Sequence, residues 1–283
     1  GQDMADSRYA RQVLAFGEEG QKGIEAARVG IVGLGGLGSQ LAQALAHLGV
    51  RTFVLVDDDG TDPTSLNRLI GAQPGDAADR RLKVRVAEDH IHRINPGAEV
   101  VPLPKNLRSR EALESLIDCP VIFGAVDHDG PRLILMEMAA AYDAVLIDCA
   151  TEIVVEEGKL SDFGGRVVVA RPGDFCLDCA GEIDNEAAKQ ELETPLNRSL
   201  RQAHGYGLGD RMPSPSVVSL NGVIANIAVT EFLVMSTGIR EPNRYLVYHG
   251  LRGNVNIRMD SRRDDCFTCG YLAGTRDRAN ILR

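Results

Sequence analysis

The chain has 283 residues, 44% of them hydrophobic, which is enough to bury a sizeable core in one large α/β domain or two small ones. A formal net charge of −9, with lysines and arginines scattered rather than clustered, argues against a nucleic-acid surface and against an anionic-membrane binder; proteins and locally held small anions are the expected partners. No signal peptide is visible, which predicts a cytoplasmic protein, and Gly1-Gln2-Asp3 ahead of Met4 reads as an appended leader.

In chain order, residues 8–27 read as an amphipathic helix broken at Gly17 and Gly20. The stretch Arg28 to Asp59 then reads strand, glycine-rich turn, helix, and a second strand ending on Asp57-Asp58-Asp59, the layout of a nucleotide- or dinucleotide-binding βαβ unit. Gly33 lets the chain reverse, Gly35 allows a phosphate to approach the backbone, and Gly38 permits close packing of helix on strand. Asp57 follows the loop by about 20 residues, where a ribose hydroxyl is held; the competing reading is a tight turn with no ligand. Further strands are expected at Arg51 to Asp57, Glu99 to Leu103, Pro120 to Val126 and Ala144 to Cys149, separated by helical patterns such as Arg81 to Ile94 and Pro131 to Tyr142. This alternation predicts an α/β fold, a doubly wound, mostly parallel sheet with a Rossmann-like nucleotide-binding core over 28–170. Arg166 to Ala170 and a hairpin around Tyr245 to Met259 would extend it with antiparallel strands. Gly181 to Pro215 is polar and reads as a mobile crossover loop, with a C-terminal part over 216–283. Ser216 to Gly238 is apolar but contains Asn221, Asn226 and Glu231, which predicts a buried helix capped by Gly238 rather than a membrane span.

Four of the six cysteines form two pairs, Cys176-Leu-Asp-Cys179 and Cys266-Phe-Thr-Cys269. Without a secretory signal disulfides are disfavoured, and a two-residue spacing lets two thiolates grip one tetrahedral metal ion, so a closed structural Zn2+ site is expected. The alternatives are a redox C-x-x-C and coincident spacings. Cys119 and Cys149 lie at the ends of apolar segments and read as core.

Taken together, the motifs resemble those of the ThiF/MoeB/HesA family, adenylating enzymes related to ubiquitin-activating enzymes. Arg8-Tyr-Ala-Arg-Gln12 resembles its opening R-Y-x-R-Q; Gly33, Gly35, Gly36 and Gly38 of GLGGLG, with Asp57 and Asp59, resemble its nucleotide loop and acidic strand end. Leu66-Asn-Arg68 is similar to its N-L-x-R, Lys83 with Arg93-Ile-Asn-Pro96 to its K and I-N-P helix, and Asp127 with Arg132 to its T-D-N-x-x-x-R.

The resemblance implies ATP-dependent adenylation of the C-terminal carboxylate of a ubiquitin-like or sulfur-carrier protein, with release of pyrophosphate. It implies Arg11, Arg68 and Lys83 as cations around the phosphates, Arg11 reaching into the neighbouring subunit of a homodimer, and Asp127 near the reaction centre through Mg2+. Locally, each has a plainer reading: Arg11 and Lys83 as solvated helix residues, Asp127 as a cap of the next helix. Ser65 stands where many members have asparagine and His128 replaces the asparagine after the aspartate, so a nucleotide contact is expected to be rearranged. Members that form a thioester usually carry a cysteine in the crossover segment; Gly181 to Ser216 has none, which predicts a reaction that stops at the adenylate, with Gln202 to Gly209 the place to look for a replaced thiol. Pro215 to Phe232 resembles versions from bacterial gene sets similar to ubiquitin conjugation, including antiviral ones, which would add a conjugating enzyme as partner. Two other classes stay open: a nicotinamide-dependent oxidoreductase using the same loop, and a non-catalytic scaffold for a ubiquitin-like partner.

Overall fold

The computed structural model describes residues 8–195, 197–199 and 214–282. Among them, eight strands form one mixed sheet in the order β3-β2-β1-β4-β5-β6-β7-β8. β1 (Arg28–Val32), β2 (Thr52–Val56), β3 (Glu99–Leu103), β4 (Val121–Gly124) and the start of β5 (Val145–Glu156) are parallel. β6 (Lys159–Ala170), β7 (Tyr245–His249) and β8 (Asn254–Arg258) continue it antiparallel. The inner strands β1 and β2 are nearly continuous runs of buried apolar residues, as a sheet covered on both faces requires. Strand order reverses between β1 and β4, so a crevice opens at their C-terminal ends, where open α/β sheets bind ligands.

One face of the sheet carries α1 (Ala10–Ala26), α2 (Gly36–Leu48), α3 (Lys83–Ile94) and the long α7 (Val218–Thr237); the core there includes Phe53, Leu41, Ile91 and Phe232. The other carries α4 (Arg110–Leu116), α5 (Asp129–Ala141) and the cysteine pairs, around Leu116, Leu135 and Phe175. α7 is, among the described residues, the helix long and apolar enough to cross a membrane by length and composition. It instead buries Leu220, Ile224, Ala225, Ala228 and Phe232 against the sheet and ends at Gly238, whose φ of 70° forms the left-handed cap expected from the sequence.

Three features differ from the sequence reading. The N-terminal helix breaks at Phe16–Gly17, where Gly17 has φ 77°, whereas Gly20 is helical and buried. β5 and β6 are each 12 residues long and meet at Glu157–Gly158, both at positive φ, so a hairpin runs well beyond the Ala144 to Cys149 and Arg166 to Ala170 segments read as strands. Its outer half carries Glu152, Glu156, Glu157, Lys159 and Asp162, charges that hid its strand character. The beginning of the crossover segment is not loop: Asn185–Leu192 forms α6, capped by Asp184, with Ala188 buried. Gln202 to Gly209 lies outside the described residues.

Candidate active site

The glycine loop joins the end of β1 to α2. Gly33 turns the chain at φ 88°, and a Cβ there would come within 2.3 Å of Ala125 O; one on Gly38 would meet Gly33 O at 1.7 Å. These two glycines are therefore required by packing. Around Gly35 no atom lies within 4 Å of an added Cβ, so the backbone at the start of α2 is open to a ligand. The N–H groups and dipole of a helix N-terminus suit such an opening to an anion.

Asp57, at the end of β2, accepts from Leu34 N at 2.7 Å and from Asp59 N at 2.8 Å, tying the acidic strand end to the loop. Burial raises its carboxyl above the ordinary value, against the opposing pull of those two donors and of Lys83. Lys83 opens α3 and places Nζ 3.0 Å from Asp59 Oδ2, its own N–H donating to Asp59 O. Arg68 packs its side-chain methylenes against Gly36 and donates from Nη1 to Thr64 O at 2.6 Å. That segment is pinned to α2 by Ile70 N donating to Ser39 Oγ, and Ser65, only 4% exposed, donates from its N–H to Asp62 Oδ1.

Asp127 follows β4 on the other side of the crevice and is exposed. It is not the helix cap: His128 occupies that position ahead of α5, with Nδ1 3.7 Å from Glu191 Oε1. Gly33, Gly35, Gly36, Gly38, Asp57, Asp59, Arg68, Lys83 and Asp127 thus lie toward the C-terminal ends of the inner strands β1, β2 and β4. Arg11 does not. Its neighbour Gln12 donates to Leu48 O, at the far end of the 13-residue α2, roughly 20 Å from the loop at about 1.5 Å per residue. Arg8 likewise donates to Ile94 O at the far end of α3, and Arg11 itself is exposed.

Residues beyond these also sit here. Asn221 at the start of α7 places Nδ2 2.5 Å from where a Gly36 Cβ would lie, while donating to Ser216 Oγ. Arg132, Asp148, Arg166 and Glu182 form a buried ionic chain behind Asp127. The sequence pairs the first of these with Asp127 through the shared motif, five residues on, whereas Asp148, Arg166 and Glu182 carry no such signal.

The cysteine pairs meet on the opposite flank. Cys176 Sγ lies 3.7 Å from Cys179 Sγ and 3.5 Å from Cys266 Sγ, and Cys179 Sγ lies 3.9 Å from Cys269 Sγ. These are distances between thiols, not disulfides. All four sulfurs lie within 4.8 Å of one another. Metal–sulfur bonds of about 2.3 Å in a tetrahedron give edges of about 3.8 Å, so the donor set fits a tetrahedral ion. Arg263 N and Cys269 N donate to Cys179 Sγ and Cys266 Sγ, the outer-shell bonds such a site uses. Cys119 and Cys149 are both 1% exposed; burial pushes the Cys119 thiol up to about 11 and Cys149 higher.

A model described as the ThiF family matches residues 9–268. The adenylyltransferase and sulfurtransferase MOCS3 of Bos taurus is 28% identical over 274 residues, 93% of this chain and 53% of that protein. The adenylyltransferase and sulfurtransferase uba4 of Aspergillus fumigatus is 30% identical over 271 residues, 93% of this chain and 51% of that one. The chain therefore spans about half the length of these curated relatives. In fold it resembles E. coli MccB crystallised with ATP, at TM-score 0.71 and 18% identity over 93% of this chain and 74% of that one. The match to the family model runs from the N-terminal helix to the second cysteine pair, and on that extent the chain belongs to the ThiF family.

Proposed function

We propose that the protein is an ATP-dependent adenylyltransferase that activates the C-terminal carboxylate of a small ubiquitin-like or sulfur-carrier protein. The observation that carries this reading is the convergence on one crevice of an open glycine-loop backbone at Gly35, Asp57 beside it, the Lys83–Asp59 pair, Arg68 and Asp127, from five separate segments. ThiF membership, and relatives named as adenylyltransferases, favour it over the nicotinamide-dependent oxidoreductase. The presence of Arg68, Lys83 and Asp127 favours catalysis over a scaffold.

In this reading Asp57 holds the ribose, and the N–H groups after Gly35 take the phosphates. A carboxylate oxygen of the partner bonds to the α-phosphorus while the α–β phosphoanhydride bond breaks, giving an acyl-adenylate and pyrophosphate. Anion must approach anion, so Arg68 and Lys83 offset the charge and fix the line of approach. Mg2+, held by Asp127, supplies further charge stabilisation when bound. Arg11, remote from its own crevice, serves the site of a second subunit, so the active form is a homodimer. The four cysteines hold one structural Zn2+. The setting is the cytoplasm, and a conjugating enzyme is a further partner.

The deciding experiment is ATP–pyrophosphate exchange with candidate ubiquitin-like proteins carrying a free or an amidated C-terminus. Exchange that requires the free carboxylate is expected; exchange indifferent to amidation, or none with any candidate, refutes the reading.

A further inference from the structure

Behind Asp127 lies an ionic chain that takes no part in the chemistry described above. Asp148 on β5 is completely buried. Its Oδ2 accepts from Arg132 Nε at 3.2 Å and lies 2.6 Å from Arg166 Nη1; both arginine side chains are nearly buried as well. Arg132 reaches on to the loop that bears Asp127, donating from Nη2 to Val126 O at 3.1 Å and from Nη1 to Asp129 Oδ1 at 3.2 Å. Arg166 donates from Nε to Glu182, which also accepts from the Tyr245 hydroxyl. From that segment, Asp184 N donates back to Asp129 Oδ1, and Glu191 on α6 accepts from Gly130 N at 2.6 Å.

One carboxylate thus sits at the centre of bonds that hold the 126–130 loop from behind and the start of the 182–191 segment beside it. Burying three charges is costly, and their mutual attraction roughly balances the lost hydration rather than adding stability. Two details show a built arrangement. Asp148 pairs in register with Gly124, the last residue of β4, and a Cβ on Gly124 would come within 2.9 Å of Asp148 Oδ1. That same Oδ1 is buried without a hydrogen-bond partner. Glycine at 124 therefore allows the carboxylate to occupy this place, three residues ahead of Asp127.

We propose that Asp148 and Arg132 are positioning residues for adenylation: the Asp148 carboxylate aims the Arg132 fork, and the fork sets the backbone from Val126 to Asp129 so that Asp127 faces the glycine loop. This rests on the adenylation reading, and only positioning residues are claimed, since neither group touches the crevice.

Arg132→Lys keeps the charge but cannot donate to Asp148, Val126 O and Asp129 together from a rigid fork. Asp148→Asn keeps the shape, although it leaves two arginines facing each other and is the variant at risk of failing to fold. The test uses folded Arg132→Lys protein with two readouts: kcat and KM for ATP in pyrophosphate exchange, and hydrogen exchange of the amides from 126 to 130. The expected result is a roughly 10- to 100-fold lower kcat, as a displaced catalytic group gives, with KM for ATP within about twofold and faster exchange over 126–130. Unchanged kcat, or a lowered kcat with unchanged protection, overturns the proposal. If the wild type shows no pyrophosphate exchange, the adenylation reading fails separately, and the hydrogen-exchange arm alone decides: faster exchange over 126–130 supports the tether and unchanged exchange refutes it.

Discussion

Asp57 Oδ2 stands 2.7 Å from Leu34 N, so the acid that ends β2 is bonded to the first residue after the Gly33 turn. One carboxylate shapes the loop and, in the proposed function, binds the nucleotide it cradles. Burial raises its pKa, and this fixes the sign of a pH effect. With the folded value above the unfolded one, the folded state takes up a proton as pH falls through that window. Asp57 then favours folding at acid pH, and the preference is lost as pH rises through the folded value. Urea unfolding of wild type and Asp57→Asn between pH 4 and 7 is expected to show the wild type gaining on the variant toward acid pH; a constant or reversed difference contradicts it.

The glycines of the loop separate by role. Gly38→Ala places a Cβ 1.7 Å from Gly33 O, backbone against backbone, and is expected to destabilise by about 3 kcal/mol or more. Gly35→Ala meets nothing within 4 Å and starts from φ −78°, so stability should stay within about 0.5 kcal/mol while KM for ATP rises. Thermal melts and exchange kinetics on the two variants check this; a Gly35→Ala protein with normal KM would remove the phosphate from that opening.

The sulfur cluster joins the segment after β6 to the far C-terminal part of the chain. Metal analysis is expected to find about one zinc per chain, since four cysteines complete one site. Cys269→Ser or a strong chelator should lower the melting temperature, because metal binding contributes to folding. Full stability of metal-free protein would contradict a structural ion.

Arg11 is exposed on α1, beside Gln12, which donates to Leu48 O at the end of α2 far from the glycine loop of its own chain. Mixing Arg11→Ala and Asp127→Ala chains should restore roughly a quarter of wild-type activity, because half of randomly paired dimers then hold one intact site. If subunit exchange is verified and no activity returns, the shared site is wrong.

Cys119 and Cys149 keep their protons at neutral pH because burial raises both. Native protein at pH 8 should resist iodoacetamide at these thiols, and no thiol-sensitive adduct with the partner should form, since a thioester needs an accessible thiolate. An adduct that disappears in Cys149→Ala or Cys119→Ala would make one of them a nucleophile.

The local pattern of residues was sufficient for the elements that follow local rules. Gly33 to Gly38 between an apolar run and Asp57 reads as strand, turn and helix because each step depends on neighbouring side chains and backbone freedom. The cysteine pairs read as one site because their spacing is a property of the donor atoms themselves. The β5–β6 hairpin was not legible past Cys149, since its charged outer half earns strand geometry from partner strands. The tertiary structure put Arg11 far from its own crevice, a separation that the family resemblance implied but no local pattern showed, and it alone decided that Asp148, Arg166 and Glu182 join Arg132 behind Asp127. Those facts concern residues distant in sequence, and a side chain's partner across the fold is set by how strands and helices pack, which no short stretch of chain encodes.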